Sequence, residues 1–256
     1  MMTTNPASPI AIEVKNISKS FRVGEQVVPV LKDISFQIKK KEFLVIFGPS
    51  GCGKSTLLHI LLGLEPPTTG EVTVMAEKLY QLPEDQIANF RKKHIGMVYQ
   101  QPHWISSLNV IENLAFPLTL MREPEDKRLA KASEMMNVLQ MDRWAKYHPS
   151  ELSSGQQQRI SLGRAIISNP EIIIADEPTG NLDYESGVEL MNLLKKIDED
   201  TDKTILMVTH DLEYMKYADR AIRMLDGQVA DDFGREDANA YIKSIRGKRN
   251  GHDLSD

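Results

Sequence analysis

The 256-residue sequence predicts an α/β fold built around a mostly parallel β-sheet, and two observations support it. Short apolar runs at 43–47 and 172–175 have the composition of buried strands, because a strand covered on both faces is apolar throughout. Helical patterns follow these runs at 56–62 and 184–199. Strands that alternate with helices in this way are typical of parallel sheets with helices on both faces.

Other segments are predicted to flank or interrupt this core. Residues 10–47 alternate in the manner of strands, which predicts an N-terminal β subdomain that we expect to be antiparallel. Helical patterns predict an inserted α-helical subdomain, with Asn109 and Ser154 as the N-caps of two helices. The predicted limits are a single domain at 10–235, with its core at about 10–84 and 161–235 and its insert at about 85–160, and a polar C-terminal tail at 236–256.

A complete P-loop, Gly-Pro-Ser-Gly-Cys-Gly-Lys-Ser, lies between a predicted strand and a predicted helix, a context that a chance match in a glycine-rich turn would lack. Its backbone N–H groups and the helix N-terminus favour bound phosphates, and its three glycines are expected to allow positive φ. Lys54 supplies a charge for the β- and γ-phosphates, and Ser55 offers a hydroxyl to Mg²⁺. The nucleotide-binding residues predicted here are Gly48, Pro49, Ser50, Gly51, Cys52, Gly53, Lys54, Ser55 and Thr56.

Two carboxylates end the apolar strand at 172–175, at the edge where open α/β sheets bind ligands. Asp176 is expected to hold Mg²⁺, and Glu177, which points a different way, is expected to orient or deprotonate a water that attacks the γ-phosphate. His210 follows another apolar strand and is expected at the same edge, near the γ-phosphate. A helix cap or solvent contact for the two acids and a structural role for the histidine are the alternatives, and the P-loop favours the catalytic interpretation.

A second anion site is predicted where Leu152-Ser-Ser-Gly-Gln-Gln-Gln-Arg-Ile160 opens a helix. A protein with one bound nucleotide would not obviously need two such sites, so two chains are expected to share each nucleotide. By itself, the segment could also be a plain N-cap.

Composition disfavours several other functions. A net charge of −5 gives no reason to expect nucleic-acid binding. The longest apolar runs are shorter than the roughly 20 residues that a bilayer requires, and the N-terminus lacks the features of a secretory signal. The single cysteine, Cys52, excludes an intrachain disulfide and fits a reducing cytosol; we interpret it as a small tolerated residue rather than a redox group.

From about Ile10 to Asp231 these segments resemble, in this order, the ATPase subunit of an ATP-binding cassette (ABC) transporter. The P-loop resembles Walker A, and 172–177 resembles Walker B with its catalytic glutamate. Leu152–Gln156 is similar to the signature Leu-Ser-Gly-Gly-Gln, with Ser154 in place of the first glycine. The remaining matches are Gln100 with the Q-loop, Asn181-Leu-Asp183 with the D-loop and His210 with the switch histidine.

The resemblance implies that two cassettes pack head to tail and enclose two ATP molecules, with Asp183 lining the seam between them. It implies that Gln100 joins the Mg²⁺ site to the helical subdomain, and that Phe21 is the aromatic residue that stacks on adenine; an ordinary hairpin aromatic is the alternative. Each ATP would lie between Lys54, Ser55, Thr56, Gln100, Asp176, Glu177 and His210 of one chain and Ser153, Gly155 and Gln156 of the other.

The sequence Thr-Gly-Asn-Leu-Asp at 179–183 resembles the branch of lipoprotein-releasing, macrolide-exporting and cell-division cassettes. The resemblance implies a separately encoded membrane permease, driven for export, lipoprotein extraction or mechanotransmission, with the cassette peripheral on the cytoplasmic face. Pro102–Ser107 departs from the expected pattern, so Trp104 is either a permease contact or an ordinary packing residue. A soluble ABC ATPase, such as a component of an iron–sulfur assembly scaffold, is the alternative. A regulatory subunit without activity is disfavoured by Lys54, Glu177 and His210.

Overall fold

The computed structural model describes residues 10–252, which form two β-sheets and a group of helices. An antiparallel sheet has the order β2-β1-β4-β5, with β1 at Ile10–Val23, β2 at Gln26–Lys39, β4 at Thr69–Val74 and β5 at Glu77–Lys78. The core sheet comprises β3 at Phe43–Phe47, β6 at Ile95–Val98, β7 at Ile172–Asp176, β8 at Thr204–Thr209, β9 at Arg220–Leu225 and β10 at Gln228–Gly234. Its order is β10-β9-β3-β8-β7-β6, and only β10 is antiparallel to its neighbour.

Helices cover these sheets and form a separate layer. They are α1 (Lys54–Leu61), α2 (Glu84–His94), α3 (Val110–Leu120), α4 (Glu125–Val138), α5 (Ser154–Ile166), α6 (Tyr184–Asp200) and α7 (Arg235–His252). Short 3₁₀ helices occur at Leu79–Gln81, Asp142–Trp144, Pro149–Glu151 and Leu212–Tyr217. The predicted α/β class, with an antiparallel N-terminal sheet and a helical part, is therefore confirmed. Within residues 10–252, no helix is both long enough and apolar enough to cross a membrane.

Burial explains why the central strands have no polar alternation. Every residue of β3 and of β8 is buried, because these neighbouring strands have apolar clusters on both faces of the sheet. One cluster joins the antiparallel sheet and α1 to the core sheet, and a second joins its other face to α6 and α7. A third cluster, which includes residues of α3, α4 and α5, forms the interior of the helical part.

The helical insert begins later than the predicted residue 85. β6 is the edge strand of the core sheet, and α2 packs Ile87 against the cluster beneath α1, so both elements belong to the core. The run Ile-Gly-Met-Val is too short and too ordinary to predict a strand from sequence. The predicted limit at 160 falls inside α5, a helix that contributes Ile160 to the helical cluster and Leu162 to a core cluster.

The segment predicted as a polar tail forms α7 as far as His252. Its Ala238 and Ile242 are buried against the core sheet, and the Tyr241 ring lies 5.9 Å from that of Phe47. Few apolar residues are needed for this, because positions three or four apart share one face of a helix. The rest of the predicted tail, 253–256, lies outside the described residues.

Gly96 in β6 provides a test of this packing. A Cβ at Gly96 would overlap the carbonyl oxygen of Ala165, a backbone atom that can shift only if α5 itself shifts. We expect Gly96→Ala to lower the free energy of unfolding by about 1–3 kcal/mol, measured by chemical denaturation. Gly234→Ala is the control, because its Cβ would meet nothing closer than Asp237 at 3.9 Å. Equal stability of the two variants would contradict the close approach of β6 and α5.

Candidate functional site

Four adjacent parallel strands deliver the predicted site residues to one edge of the core sheet. The strands lie in the order β3-β8-β7-β6, so their carboxyl ends share that edge. The P-loop follows β3, His210 follows β8, Asp176 and Glu177 come at the end of β7, and Gln100 lies two residues beyond β6. These residues come from distant parts of the sequence. They lie along the same edge of the sheet because the four strands that precede them are parallel.

The P-loop glycines have two different roles. Gly51 and Gly53 have φ values of 80° and 101°, in the region that favours glycine, as the sequence predicted. Gly48 is not among the residues with positive φ. It is required for another reason, because a Cβ there would overlap the carbonyl oxygen of Met224 in β9. Pro49, Ser50, Ser55 and Thr56 lie along the same loop and the first turn of α1.

Lys54 is buried at the start of α1, with 6% of its surface exposed. Its Nζ donates hydrogen bonds to the carbonyl oxygens of Gly48, at 2.8 Å, and Pro49, at 3.0 Å. Cys52 is also buried, with its Sγ 4.0 Å from that Nζ. The loop thus holds an ammonium group, a strong donor to phosphate oxygens, against its own backbone.

Glu177 has an unusual backbone conformation that determines where its carboxylate points. Its φ is 44°, which is uncommon for a residue other than glycine, and its N–H donates to the carbonyl oxygen of Val208 at 2.9 Å. This turn takes the side chain out of the alternation of β7. Glu177 Oε2 then lies 2.9 Å from Nδ1 of His210. The two residues predicted to act on the γ-phosphate are therefore in direct contact.

Asp176 lies beside this pair in a half-buried position. Burial raises the pKa of its carboxyl group, and the neighbouring Glu177 raises it further, against the opposing effects of His59 and Lys54. Two adjacent carboxylates in a partly buried place are unfavourable unless a cation balances them.

The oxygen donors at this edge fit a magnesium ion. The predicted ligands Ser55, Gln100 and Asp176 supply a hydroxyl, an amide and a carboxylate oxygen, which are the donors that Mg²⁺ prefers. Within the described part of the chain, no three His, Cys, Asp or Glu side chains are grouped so as to hold a metal by themselves. In the usual Mg²⁺ site beside a nucleotide, one or two carboxylates act together with phosphate oxygens.

The signature segment begins α5, and its N-cap is Ser153, not the predicted Ser154. Ser153 Oγ accepts a hydrogen bond from the N–H of Gln156 at 3.3 Å, and Gln156 Oε1 accepts from the N–H of Ser153 at 2.9 Å. This reciprocal pair is a capping box, which requires glutamine or glutamate three residues after the cap. Ser154, the departure from the signature, is an exposed residue of the first turn.

The predicted D-loop lies between the signature and Gln100. Asp183 caps α6 by accepting hydrogen bonds from the N–H and the Oγ of Ser186, each at 2.9 Å, and the N–H bond lowers the pKa of Asp183. A Cβ at Gly155 would lie 2.8 Å from the same Oγ, so the signature helix packs closely on α6. On the other side, Asn181 Nδ2 donates to the carbonyl oxygen of Gln100 at 3.3 Å.

Phe21 is separated in sequence from the rest of the site and lies near the turn of the β1–β2 hairpin, 36% exposed. Sequence reasoning missed the residue beneath it. Lys19 is buried, forms an ion pair with Glu65, donates to the carbonyl oxygen of Pro66 at 2.7 Å and has its Nζ 4.9 Å from the Phe21 ring centroid. A lysine on the same strand face as Ile17 and Phe21 was the signal that could have revealed it.

Known proteins match both this sequence and this fold. A family model described as "ABC transporter" matches residues 31–180, more than half of the chain. The chain belongs to the ABC transporter family. Its membership identifies it as an ABC-type ATPase that binds ATP.

Relatives of this ABC cassette include two kinds of protein. One is an uncharacterized ABC transporter ATP-binding protein, MJ0796, of Methanocaldococcus jannaschii, with 40% identity over 85% of this chain and 94% of the relative. Another is the macrolide export ATP-binding/permease protein MacB of Mannheimia succiniciproducens, with 40% identity over 86% of this chain. The matched region spans only 34% of that MacB.

Solved structures match most of the chain. A structure described as a dimeric post-hydrolysis state of the MJ0796 cassette bound to ADP and Pi has a TM-score of 0.82 and 38% identity, and the match covers 88% of this chain and 98% of that one. CbiO1 of Clostridium perfringens, described as part of the ABC transporter complex cbiONQ, has the same TM-score at 26% identity, over 96% of this chain and 98% of that one.

Proposed function

We propose that this cassette binds Mg-ATP between two copies of itself, arranged head to tail, and hydrolyses it to drive a membrane permease. The contact between Glu177 and His210, at the sheet edge that also bears the P-loop, is the observation that carries the proposal. A carboxylate fixed beside an imidazole next to a phosphate-binding loop is the arrangement needed to activate water against a γ-phosphate.

Within each site the residues divide the work by their chemistry. Lys54 exchanges its backbone carbonyl partners for phosphate oxygens, and Glu177 accepts a proton from the attacking water. His210 holds that carboxylate in position, and we expect its other ring nitrogen to contact the γ-phosphate. Ser55, Gln100 and Asp176 would hold Mg²⁺ beside the nucleotide, where the ion would supply positive charge to offset the developing charge on the phosphate oxygens.

The signature segment contributes from the second chain. Ser153 Oγ accepts from Gln156 N–H, and its hydroxyl proton stays available for a phosphate oxygen. The N-terminus of α5 adds its dipole to this donor. In its own chain the start of α5 packs on Ser186 of α6, whereas the P-loop packs on β9, so the two phosphate-binding surfaces are formed by different elements. The dimeric state described for the MJ0796 cassette supports their pairing between chains.

The relatives support a permease partner that holds the cassette at the cytoplasmic face of a membrane. MacB is described as a joint ATP-binding and permease protein, and cbiO1 as part of a transporter complex. We expect the cassette to sediment with membranes from its native cells and to leave them when the permease gene is deleted. A cassette that stays in the soluble fraction in both strains would instead support a soluble ABC ATPase, such as an iron–sulfur assembly component.

Phe21→Ala is expected to raise the KM for ATP about tenfold with little change in kcat, because stacking on a base contributes about 1–3 kcal/mol. Steady-state phosphate release measures both constants. Phe21→Tyr keeps a ring on the hairpin and is the matched control. Lys19→Met removes the cation that lies against the ring and is expected to raise KM by a smaller factor. An unchanged KM in Phe21→Ala would contradict adenine stacking at this residue.

A further inference from the structure

The segment Pro102–Ser107, which departs from the family pattern, contains a side chain whose hydrogen bond the proposed function does not use. Trp104 is half-buried, and its indole Nε1 donates to Oε1 of Gln157 in α5 at 2.8 Å. The other end of the same amide, Nε2, donates to the carbonyl oxygen of Leu152 at 3.0 Å. Leu152 is the first residue of the signature, directly before the N-cap Ser153.

α5 makes three further contacts with the segment after β6. The Arg164 guanidinium lies over the Trp104 ring, 4.5 Å from its centroid, and donates to the carbonyl oxygen of His103 at 2.9 Å. Gln158, which is buried, donates to the carbonyl oxygen of Tyr99 at 2.7 Å. The chain on both sides of Gln100 is therefore attached to the helix that bears the signature.

The position of Gln157 in this arrangement is specific. It lines a cleft of about 330 Å³ together with Gln100, Ser154 and Asn181, so it lies between the loop that contains Gln100 and the signature. Its backbone N–H also donates to the carbonyl oxygen of Ser153 at 2.9 Å. A single amide thus joins an indole in the loop after Gln100 to the backbone that precedes the phosphate-binding serine.

We infer that Trp104 is a positioning residue, which acts through Gln157 to hold Leu152 and Ser153 in the conformation that receives the γ-phosphate of the partner's ATP. The inference rests on the proposed function, since it deepens the role given there to the signature. Trp104 acts through Gln157 and not by contact with the nucleotide. A movement of the loop that contains Trp104 would reach Ser153 through two hydrogen bonds and one side chain.

Two variants each remove one of the two hydrogen bonds that join Trp104, through Gln157, to Leu152. Trp104→Phe keeps an aromatic ring under Arg164 and removes the N–H donor to Gln157. Gln157→Glu keeps an oxygen acceptor for Trp104 and removes the amide donor to Leu152. Tyr217→Phe is the matched control, because it removes a comparable hydrogen bond, from an aromatic O–H to Asn192 Oδ1 at 3.1 Å, on the exposed surface between α6 and a 3₁₀ helix.

The first measurement is hydrogen exchange of the monomer without nucleotide, which does not depend on the sandwich. Trp104→Phe and Gln157→Glu are each expected to lower the protection of amides at 153–157 about three- to tenfold, in line with the loss of one hydrogen bond. Tyr217→Phe should leave these amides unchanged. Unchanged protection in both test variants, or an equal loss throughout the chain, would overturn the inference whatever the state of the proposed function.

The second measurement places the same changes in a Glu177→Gln background and determines the ATP concentration needed for half-maximal dimerisation. Each variant is expected to raise it about three- to tenfold, and the double variant to raise it no further, because both cut the same connection. Fully additive effects, or none, would overturn the inference. If the Glu177→Gln parent does not dimerise with ATP, the proposed sandwich fails, and the hydrogen-exchange result still decides whether Trp104 positions the signature.

Discussion

Glu177→Gln is expected to lower the rate of ATP hydrolysis by about 10²–10⁴-fold, because it removes the carboxylate that accepts the proton of the attacking water. Glutamine has nearly the same shape and keeps an oxygen for His210, so ATP binding should persist. ATP should then accumulate in a stable dimer. Phosphate release measures the first effect, and size-exclusion chromatography with and without Mg-ATP measures the second.

The chain offers a matched control at the opposite end of the same strand. Glu171 lies just before β7, and its Oε2 is 3.0 Å from Nδ1 of His94, so it forms a second carboxylate–histidine pair. Glu171→Gln removes a carboxylate at the amino end of β7, on the edge of the sheet opposite the P-loop. This variant is expected to hydrolyse ATP at the normal rate. Equal activity of Glu177→Gln and the parent protein would exclude Glu177 as the base. A persistent monomer would mean that the Ser154 signature is impaired or that the permease is needed for pairing.

Lys54→Met is expected to abolish measurable hydrolysis and to weaken ATP binding about 10- to 100-fold, since a charged hydrogen bond to phosphate contributes about 1.5–3 kcal/mol. Methionine fills the space of the buried lysine stem without the charge. Equilibrium binding of a fluorescent ATP analogue and phosphate release measure the two effects. Thermal unfolding should be measured beside them, because Lys54 also donates to two backbone carbonyls.

Mixing Lys54→Met with a signature variant tests whether each site is shared. Ser154→Glu places a carboxylate in the first turn of α5, where it suits the helix dipole but repels a phosphate. Each variant alone should be inactive. In a random mixture, half of the dimers contain one intact pairing, so about a quarter of the parent activity should return. No recovery would show that P-loop and signature serve the same nucleotide within one chain.

Most of the candidate site could be predicted because its signals are local. The P-loop is one continuous motif between a strand and a helix, and Asp176 and Glu177 follow a run whose burial is evident from its composition. The parallel sheet that these runs imply then places His210 at the same edge. Each step needs only neighbouring residues and one rule of topology.

The parts that escaped prediction depend on contacts between distant residues. The strand β6 is four residues long, and only its pairing with β7 distinguishes it from a loop. Lysine is usually a surface residue, and the burial of Lys19 depends on its contacts with Glu65 and Pro66, which are distant in sequence. The positive φ of Glu177 directs its side chain toward His210. It accompanies a hydrogen bond from Glu177 N–H to the carbonyl oxygen of Val208, which the local sequence does not predict.

The aromatic contact beneath α7 determines where this chain can be shortened. Phe47 is the last residue before the P-loop, and its ring packs against Phe233 and Tyr241, at 6.2 and 5.9 Å between centroids. A truncated protein that stopped at the end of β10 would lose Tyr241. The ring of Phe47, the residue directly before Gly48, would then be more exposed. The smallest catalytic unit for biochemical work therefore extends past Ile242, and affinity tags are best placed beyond the end of that helix.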